Sequence, residues 1–304
     1  MKPPPRPSRR TDIALIGLGN WGTSLAAALG HARIPLREVI VRRRRPSSAF
    51  PTASWKNAAL DARILWLCVP DCAISETAAQ IAHRRPNLCG QIIVHSSGAL
   101  SVDALDPVRR AGAAVASVHP AMTFPTRTAV PLDGVLFGLE APSPATRRTL
   151  RQIIRKLGGR PFDIASKNKA VYHAAGTLAS PLLVSELHAA IETARLAGLD
   201  RRTAVQWVEA LAAATSRNLF ARGPSRSFSG PFARGDVHTI RLHLQALQKH
   251  PIFADVYRSL ALHAVGTLPV RNAQALSEAL RNPPAQKSHE PPGRPPGRVP
   301  RMRN

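Results

Sequence analysis

The sequence predicts an α/β protein in which a doubly wound parallel sheet is followed by an all-α C-terminal domain. Three observations carry this. A glycine-rich turn, Gly17-Leu18-Gly19-Asn20-Trp21-Gly22, stands between an apolar run and a helical stretch. Short apolar runs then alternate with helical stretches as far as Asp163. Beyond Lys167 the strand pattern stops, and long Ala- and Leu-rich stretches take over. With 304 residues, 44% of them hydrophobic, the chain is long enough for two cores, since single cores stop growing near roughly 250–300 residues.

Residues 1–10, rich in Pro and Arg, are expected to form a disordered basic arm, and 282–304, with repeated Pro-Pro and Pro-Gly, a disordered tail. Residues 11–163 are expected to form the sheet domain. Its strands are predicted at 12–16, 38–41, 64–69, 91–94, 114–118 and 135–139, its helices at 21–29, 74–83, 102–109 and 144–157. The runs from Ile64 to Val69 and from Ile92 to Val94 are apolar on both faces, as suits central strands covered on each side. Residues 164–281 form the expected helical domain, with one helix or two over 167–197 and a stop at Gly198. Asp200 then caps a helix to about Phe220, and further helices follow at 236–249 and 252–265.

The net charge of +24 raises nucleic acid as a partner, but the excess is arginine scattered along the chain and in both ends, and few aromatics are present for bases to stack on. A solvated basic surface is the expectation, with neither nucleic acid nor a membrane as partner, and no apolar run is expected to reach the roughly 18–20 residues that span a bilayer. Ser8-Arg9-Arg10 before an apolar run resembles an export signal, yet Asp12 and the glycines break that pattern. The three cysteines, Cys68, Cys72 and Cys89, show neither zinc-site nor Cys-x-x-Cys spacing, so no metal is expected and a reducing cytoplasm fits.

The Gly17–Gly22 stretch is a G-x-G-x-x-G that follows a strand and opens a helix. Its glycines permit the tight turn, the approach of backbone N–H groups to a pyrophosphate and close packing, while the helix N-terminus adds partial positive charge. The domain is therefore read as a Rossmann-type dinucleotide-binding domain, with Gly17, Gly19, Asn20, Trp21 and Gly22 at the cofactor and Val69 and Pro70 shaping its crevice. Asp71 is expected as a helix N-cap. The second strand ends in Arg42 and Arg43, where an NAD-preferring fold places a carboxylate; guanidinium groups there favour the 2′-phosphate of NADP(H).

His95-Ser96-Ser97-Gly98 and His119-Pro120 follow adjacent strands at the carboxyl edge, which makes His95, Ser97, Gly98 and His119 candidates to orient a substrate. On the helix predicted from residue 167, Lys169, Tyr172 and His173 share one face by their spacing, a set suited to proton transfer with Lys169 as general acid/base. Gly230-Pro231-Phe232-Ala233-Arg234-Gly235-Asp236 is read as a turn-rich segment.

Together with His119-Pro120-Ala121-Met122-Thr123-Phe124 and Lys169–Ala175, these stretches resemble bacterial proteins that pair a Rossmann-like domain with a helical domain of unknown function, over residues 12–270. The wider relatives are similar to pyrroline-5-carboxylate reductase, the β-hydroxyacid dehydrogenases and 6-phosphogluconate dehydrogenase. In the last two groups, the resemblance implies, a Ser-Gly loop binds substrate and a helix lysine acts as acid/base; Ser97-Gly98 and Lys169 with His173 fall at comparable places. Those enzymes usually carry asparagine where His173 stands, and in the bacterial family the residue after the His-Pro pair is often larger than Ala121 and polar. The expected function is an NADP(H)-dependent oxidoreductase moving hydride to or from a small carbonyl, imine or hydroxyacid between the domains, as a homodimer. The alternative is a non-catalytic dinucleotide-binding sensor or scaffold.

Overall fold

The computed structural model describes residues 12–42 and 50–282. The expectations for the arm at 1–10, for Arg43 and, apart from Asn282, for the tail lie outside the described residues. The described chain divides into two compact units at Pro181/Leu182.

The first unit contains β1 (Ile13–Ile16), α1 (Asn20–His31), β2 (Leu36–Val41), β3 (Thr52–Ser54), β4 (Ile64–Leu67), α2 (Ile74–Arg84), β5 (Ile92–His95), α3 (Asp106–Arg110), β6 (Ala114–Pro120), β7 (Leu136–Glu140), α4 (Pro144–Lys156), β8 (Arg160–Asp163) and α5 (Lys169–Ala179). The sheet runs in the order β3-β2-β1-β4-β5-β6-β7-β8. Its first six strands are parallel, with Ile16 opposite Leu67 and Leu67 opposite His95. Alternate side chains feed two cores: Ile13, Leu15, Ile64, Trp66 and Val94 pack with Leu25 and Leu29 of α1 and Ile153 of α4 on one face. Ala14, Ile16, Leu65, Leu67 and Ile93 pack with Ile74 and Ile81 of α2 and Val108 of α3 on the other. Strands covered on both faces read as continuous apolar runs, which is why these were visible in sequence.

The doubly wound sheet is present, with one departure: β7 pairs antiparallel with β6, Val118 opposite Leu139, and parallel with β8. A parallel return needs a crossover, usually a helix. Residues 121–135 form none, and Ala121 N–H already bonds the Leu136 carbonyl at 2.8 Å. The sequence reading missed β3, only three residues long, and β8, whose Pro161 is tolerated because β8 is the last strand of the sheet. The split drawn at 163/164 from the loss of strands precedes α5, which groups with the sheet unit because Lys169 is anchored among sheet residues.

The second unit contains α6 (Pro181–Leu196, beginning at the boundary), α7 (Arg201–Arg222), α8 (Pro224–Ser227), α9 (Gly230–Arg234), α10 (Val237–Leu247), α11 (Pro251–Thr267) and α12 (Ala273–Arg281). Its core joins Ile240, Leu244, Ala261, Leu276 and Leu280, with Phe232 and Tyr257 against them. Asp200 caps α7 and Asp236 caps α10, each accepting a backbone N–H at 3.0 Å, from Thr203 and Thr239. The segment read as turn-rich holds the short α9, closed by Gly235 in the left-handed region at φ +71°.

Among the described residues one stretch, Ser166–Leu196, is long and apolar enough to cross a membrane by length and composition, contrary to the expectation of none. It breaks at Ser180 into α5 and α6, and the ammonium of Lys169 is bonded to the sheet unit.

Candidate functional site

β1 ends at the glycine turn. Gly17 takes φ +104°, donates to the Ile40 carbonyl at 2.9 Å and lies so close to β4 that a Cβ would stand 2.5 Å from the Cys68 carbonyl oxygen. A Cβ on Gly22 would run into the Gly17 carbonyl, whereas Gly19 faces open space, with nothing within 4 Å of its Cβ position. The turn is thus closed on its protein side and open where a ligand would approach. A cavity of about 1090 Å³ opens there, lined by Gly17, Leu18, Gly19, Arg42, Val69 and Pro70 among others. Burial pushes the Cys68 thiol above its ordinary pKa, so it lines the cavity as a thiol.

Asn20 and Trp21 begin α1, but their side chains serve the protein. Asn20 Nδ2 donates to the Phe124 carbonyl at 2.7 Å; Trp21 Nε1 donates to Ser96 Oγ at 2.8 Å and its ring meets Phe124 with centroids 5.1 Å apart. What they leave open towards a ligand is the backbone at the helix N-terminus. Arg127, which no sequence motif marked, also lines the cavity.

The loop after β5 is held from within. Ser96 Oγ also accepts from Trp66 Nε1 at 2.8 Å. Ser97 Oγ donates to Asp71 at 2.6 Å and accepts from Leu100 N–H at 2.9 Å and Ala99 N–H at 3.2 Å. Asp71, expected as a helix N-cap, instead holds Ser97, and Ala73 stands at the N-cap of α2 without a side-chain bond. His95 is fully buried, with Nδ1 accepting from Ser97 N–H and Nε2 facing the Ser101 carbonyl, both at 3.1 Å. Burial, helped by the charge of Lys169, lowers its pKa to about 4, so its imidazole is neutral. The polar atoms of His95 and Ser97, expected to orient substrate, are thus occupied in shaping the loop.

Lys169 is buried as well. Its side chain is 1% exposed, and Nζ donates to the Ser97 carbonyl at 3.0 Å and to Ser117 Oγ, with Glu140 Oε2 at 3.7 Å. Burial lowers its pKa and the carboxylate opposes that shift. Glu140 accepts from Ser166 Oγ at 2.6 Å and from Val102 N–H at 3.2 Å. Two of the three ammonium hydrogens are thus taken, by the Ser97 carbonyl and by Ser117 Oγ, with the Glu140 carboxylate as the ion-pair partner.

The other two residues of that face do converge at the carboxyl edge. Tyr172 OH lies 2.8 Å from His119 Nδ1, the rings of His119 and His173 meet edge-on at 5.6 Å, and Phe162 packs on Tyr172. A Cβ on Gly98 would stand 2.8 Å from His119 Nε2, so glycine is what lets this cluster form. Burial lowers the His119 pKa to about 4, with His173 and Lys169 adding to it, and burial raises that of Tyr172. At neutral pH the pair is a neutral imidazole and a protonated phenol. Sequence reasoning missed Ser117 and Glu140; the available signal was a carboxylate ending the apolar run of β7, where a buried charge calls for a partner.

Two family models match successive parts of the chain. Residues 5–120 match a Rossmann-like domain, and residues 135–264 match a domain of unknown function, DUF2520. The second match begins at β7, so it takes in β7 and β8 of the sheet. No curated protein matches the chain. Among solved structures, a Bacteroides fragilis protein described as a candidate NADP oxidoreductase is 22% identical over 83% of this chain and 96% of that one, at a TM-score of 0.66. The reductive aminase of Aspergillus terreus in complex with NADPH and ethyl-5-oxohexanoate is 16% identical over 90% and 100%, at 0.60. The pyrroline carboxylate reductase of Plasmodium falciparum with NADP bound is 14% identical over 89% and 96%, at 0.56. At such identities the likeness is one of fold. The chain joins a Rossmann-like domain to a DUF2520 domain.

Proposed function

We propose that the protein is an NADP(H)-dependent oxidoreductase acting on a small carbonyl, imine or hydroxyacid. The observation that carries this is the cavity of about 1090 Å³ at the carboxyl ends of the parallel strands, rimmed by Gly17, Gly19 and Arg42. The open face of Gly19 and the helix N-terminus behind it fit a pyrophosphate, and Arg42, exposed and without a carboxylate partner among the described residues, fits the 2′-phosphate. The fold shared with proteins solved with NADP or NADPH supports the choice of cofactor.

Bound NADPH supplies the hydride. Tyr172 holds a proton on its phenol oxygen, and neutral His119 in the tautomer with Nδ1–H would donate to that oxygen and leave the O–H free to turn to a substrate. We assign Tyr172 as the group that gives the proton to the developing alkoxide or amine, with His173 beside His119 shaping the substrate side. Lys169 is a positioning residue that ties the loop at Ser97 to β6 and β7.

A homodimer is part of this reading. In the helical unit Val184, Trp207 and Phe220 are exposed at 68%, 53% and 87%, apolar surface of the kind that oligomer interfaces cover. The free thiols of Cys72 and Cys89, both exposed, fit a reducing cytoplasm.

The test is titration with NADPH and NADH, followed through tryptophan fluorescence, on the unsubstituted protein and Arg42→Ala. Tighter NADPH binding that Arg42→Ala abolishes is the expected result. Binding of neither nucleotide would overturn the reading, while binding without turnover of any carbonyl or imine would favour the sensor or scaffold alternative.

A further inference from the structure

The chain between β6 and β7 lies along α1 as a strap. It is tied at one end by Asn20 Nδ2 to the Phe124 carbonyl at 2.7 Å, with the Trp21 ring on Phe124, and at the other by Val130 N–H to Ser24 Oγ at 3.1 Å. Asn20 and Ser24 are one turn apart on α1, at the end that opens onto the glycine turn. Between the two ties stands Arg127, which lines the same cavity as Gly17, Gly19 and Arg42. It is exposed, and among the described residues no carboxylate pairs with it. The carboxylate in this cavity, Glu76, lies on α2 and accepts from Gln80 at 3.0 Å.

We infer that Arg127 is a second cationic ligand of the dinucleotide, delivered by the strap to the pyrophosphate at the N-terminus of α1. The inference rests on the dinucleotide reading above and deepens it. A Rossmann glycine turn meets the pyrophosphate with backbone N–H groups and a helix dipole, neither of which carries a full charge. A guanidinium held over the same end adds charge-assisted hydrogen bonds to the phosphoryl oxygens. Anchoring of the strap on both sides of Arg127 leaves few main-chain degrees of freedom to lose on binding. Arg42, just after β2, answers to the other phosphate, so the two arginines divide between them the common and the distinguishing anions of the two nucleotides.

That division sets the experiment. Dissociation constants for NADPH and NADH are measured by calorimetry on the full chain and on Arg127→Ala, with Arg127→Lys and Arg42→Ala as companions and thermal unfolding as the check of folding. Arg127→Ala is expected to weaken both nucleotides by the same factor, about tenfold, with partial recovery in Arg127→Lys, whereas Arg42→Ala weakens NADPH alone. Unchanged affinities in Arg127→Ala would overturn the inference. Loss confined to NADPH would overturn it too, by placing Arg127 at the 2′-phosphate. If the unsubstituted protein bound neither nucleotide, the dinucleotide reading itself would fall, a result distinct from normal binding that ignores Arg127.

Discussion

Lys169 Nζ lies 3.0 Å from the carbonyl oxygen of Ser97, a residue 72 positions earlier in the chain, and both groups are buried. The bond joins the first residue of α5 to the loop after β5, while Ser117 and Glu140 bring β6 and β7 to the same ammonium. Removing one member of a buried ion pair leaves the other uncompensated, at a typical cost of about 3–5 kcal/mol. Lys169→Met is therefore expected to lose stability on that scale in urea unfolding, and Lys169→Met/Glu140→Gln to regain much of it. A Lys169→Met protein of unchanged stability that bound nucleotide but failed in turnover would support the acid/base role instead.

Tyr172→Phe removes the hydroxyl 2.8 Å from His119 Nδ1 and keeps the ring against Phe162. With the phenol as proton donor, the rate of carbonyl or imine reduction is expected to fall about 100-fold or more, with the dissociation constant for NADPH unchanged. Steady-state rates together with a binding titration check this. Full activity in the variant would remove Tyr172 from the chemistry.

The pH dependence of stability follows from His95. Its folded pKa of about 4 lies below the ordinary 6.5, so between these values the unfolded chain binds the proton that the folded chain excludes. The stabilisation is complete above pH 6.5, falls as pH drops through the window and is lost below about 4; His119, shifted to about 4 as well, acts in the same direction. Between pH 6.5 and 5, where most carboxylates remain ionised, His95 alone should remove about 1.5 kcal/mol. Urea midpoints across this range test the sum, and histidine NMR titration tests the assignment. A flat profile, with His95 titrating near 6.5, would contradict it.

The exposed apolar residues of α6 and α7 lead to a prediction about assembly. Trp207→Arg and Phe220→Asp place charge on surface that a second copy is proposed to cover, and each is expected to weaken the dimer at least tenfold in sedimentation velocity. A monomeric unsubstituted protein would refute the homodimer.

Much of the fold was legible because it rests on local pattern. The strands from Ile64 and Ile92 are apolar on both faces, and the helix cap Asp200 sits where the sequence places it. β8 was missed because Pro161 contradicts a strand everywhere except an edge, and edge position is a property of the whole sheet. The glycine turn was legible for a similar reason: Gly17 and Gly22 answer to close backbone approaches that the motif's spacing fixes. Arg127 was not, since its place in the cavity depends on ties to Asn20 and Ser24, residues 104 and 106 positions from their partners.

The helix beginning at Lys169 divides what each level of description determines. Helical spacing by itself put Lys169, Tyr172 and His173 on one face, and the residue types declared proton chemistry. Only the tertiary structure decided what each of them meets. An ammonium's role depends on what accepts its hydrogens, and here Ser97, Ser117 and Glu140 reach Lys169 from three other segments, leaving the phenol of Tyr172 and the imidazole of His119 to meet beside Gly98.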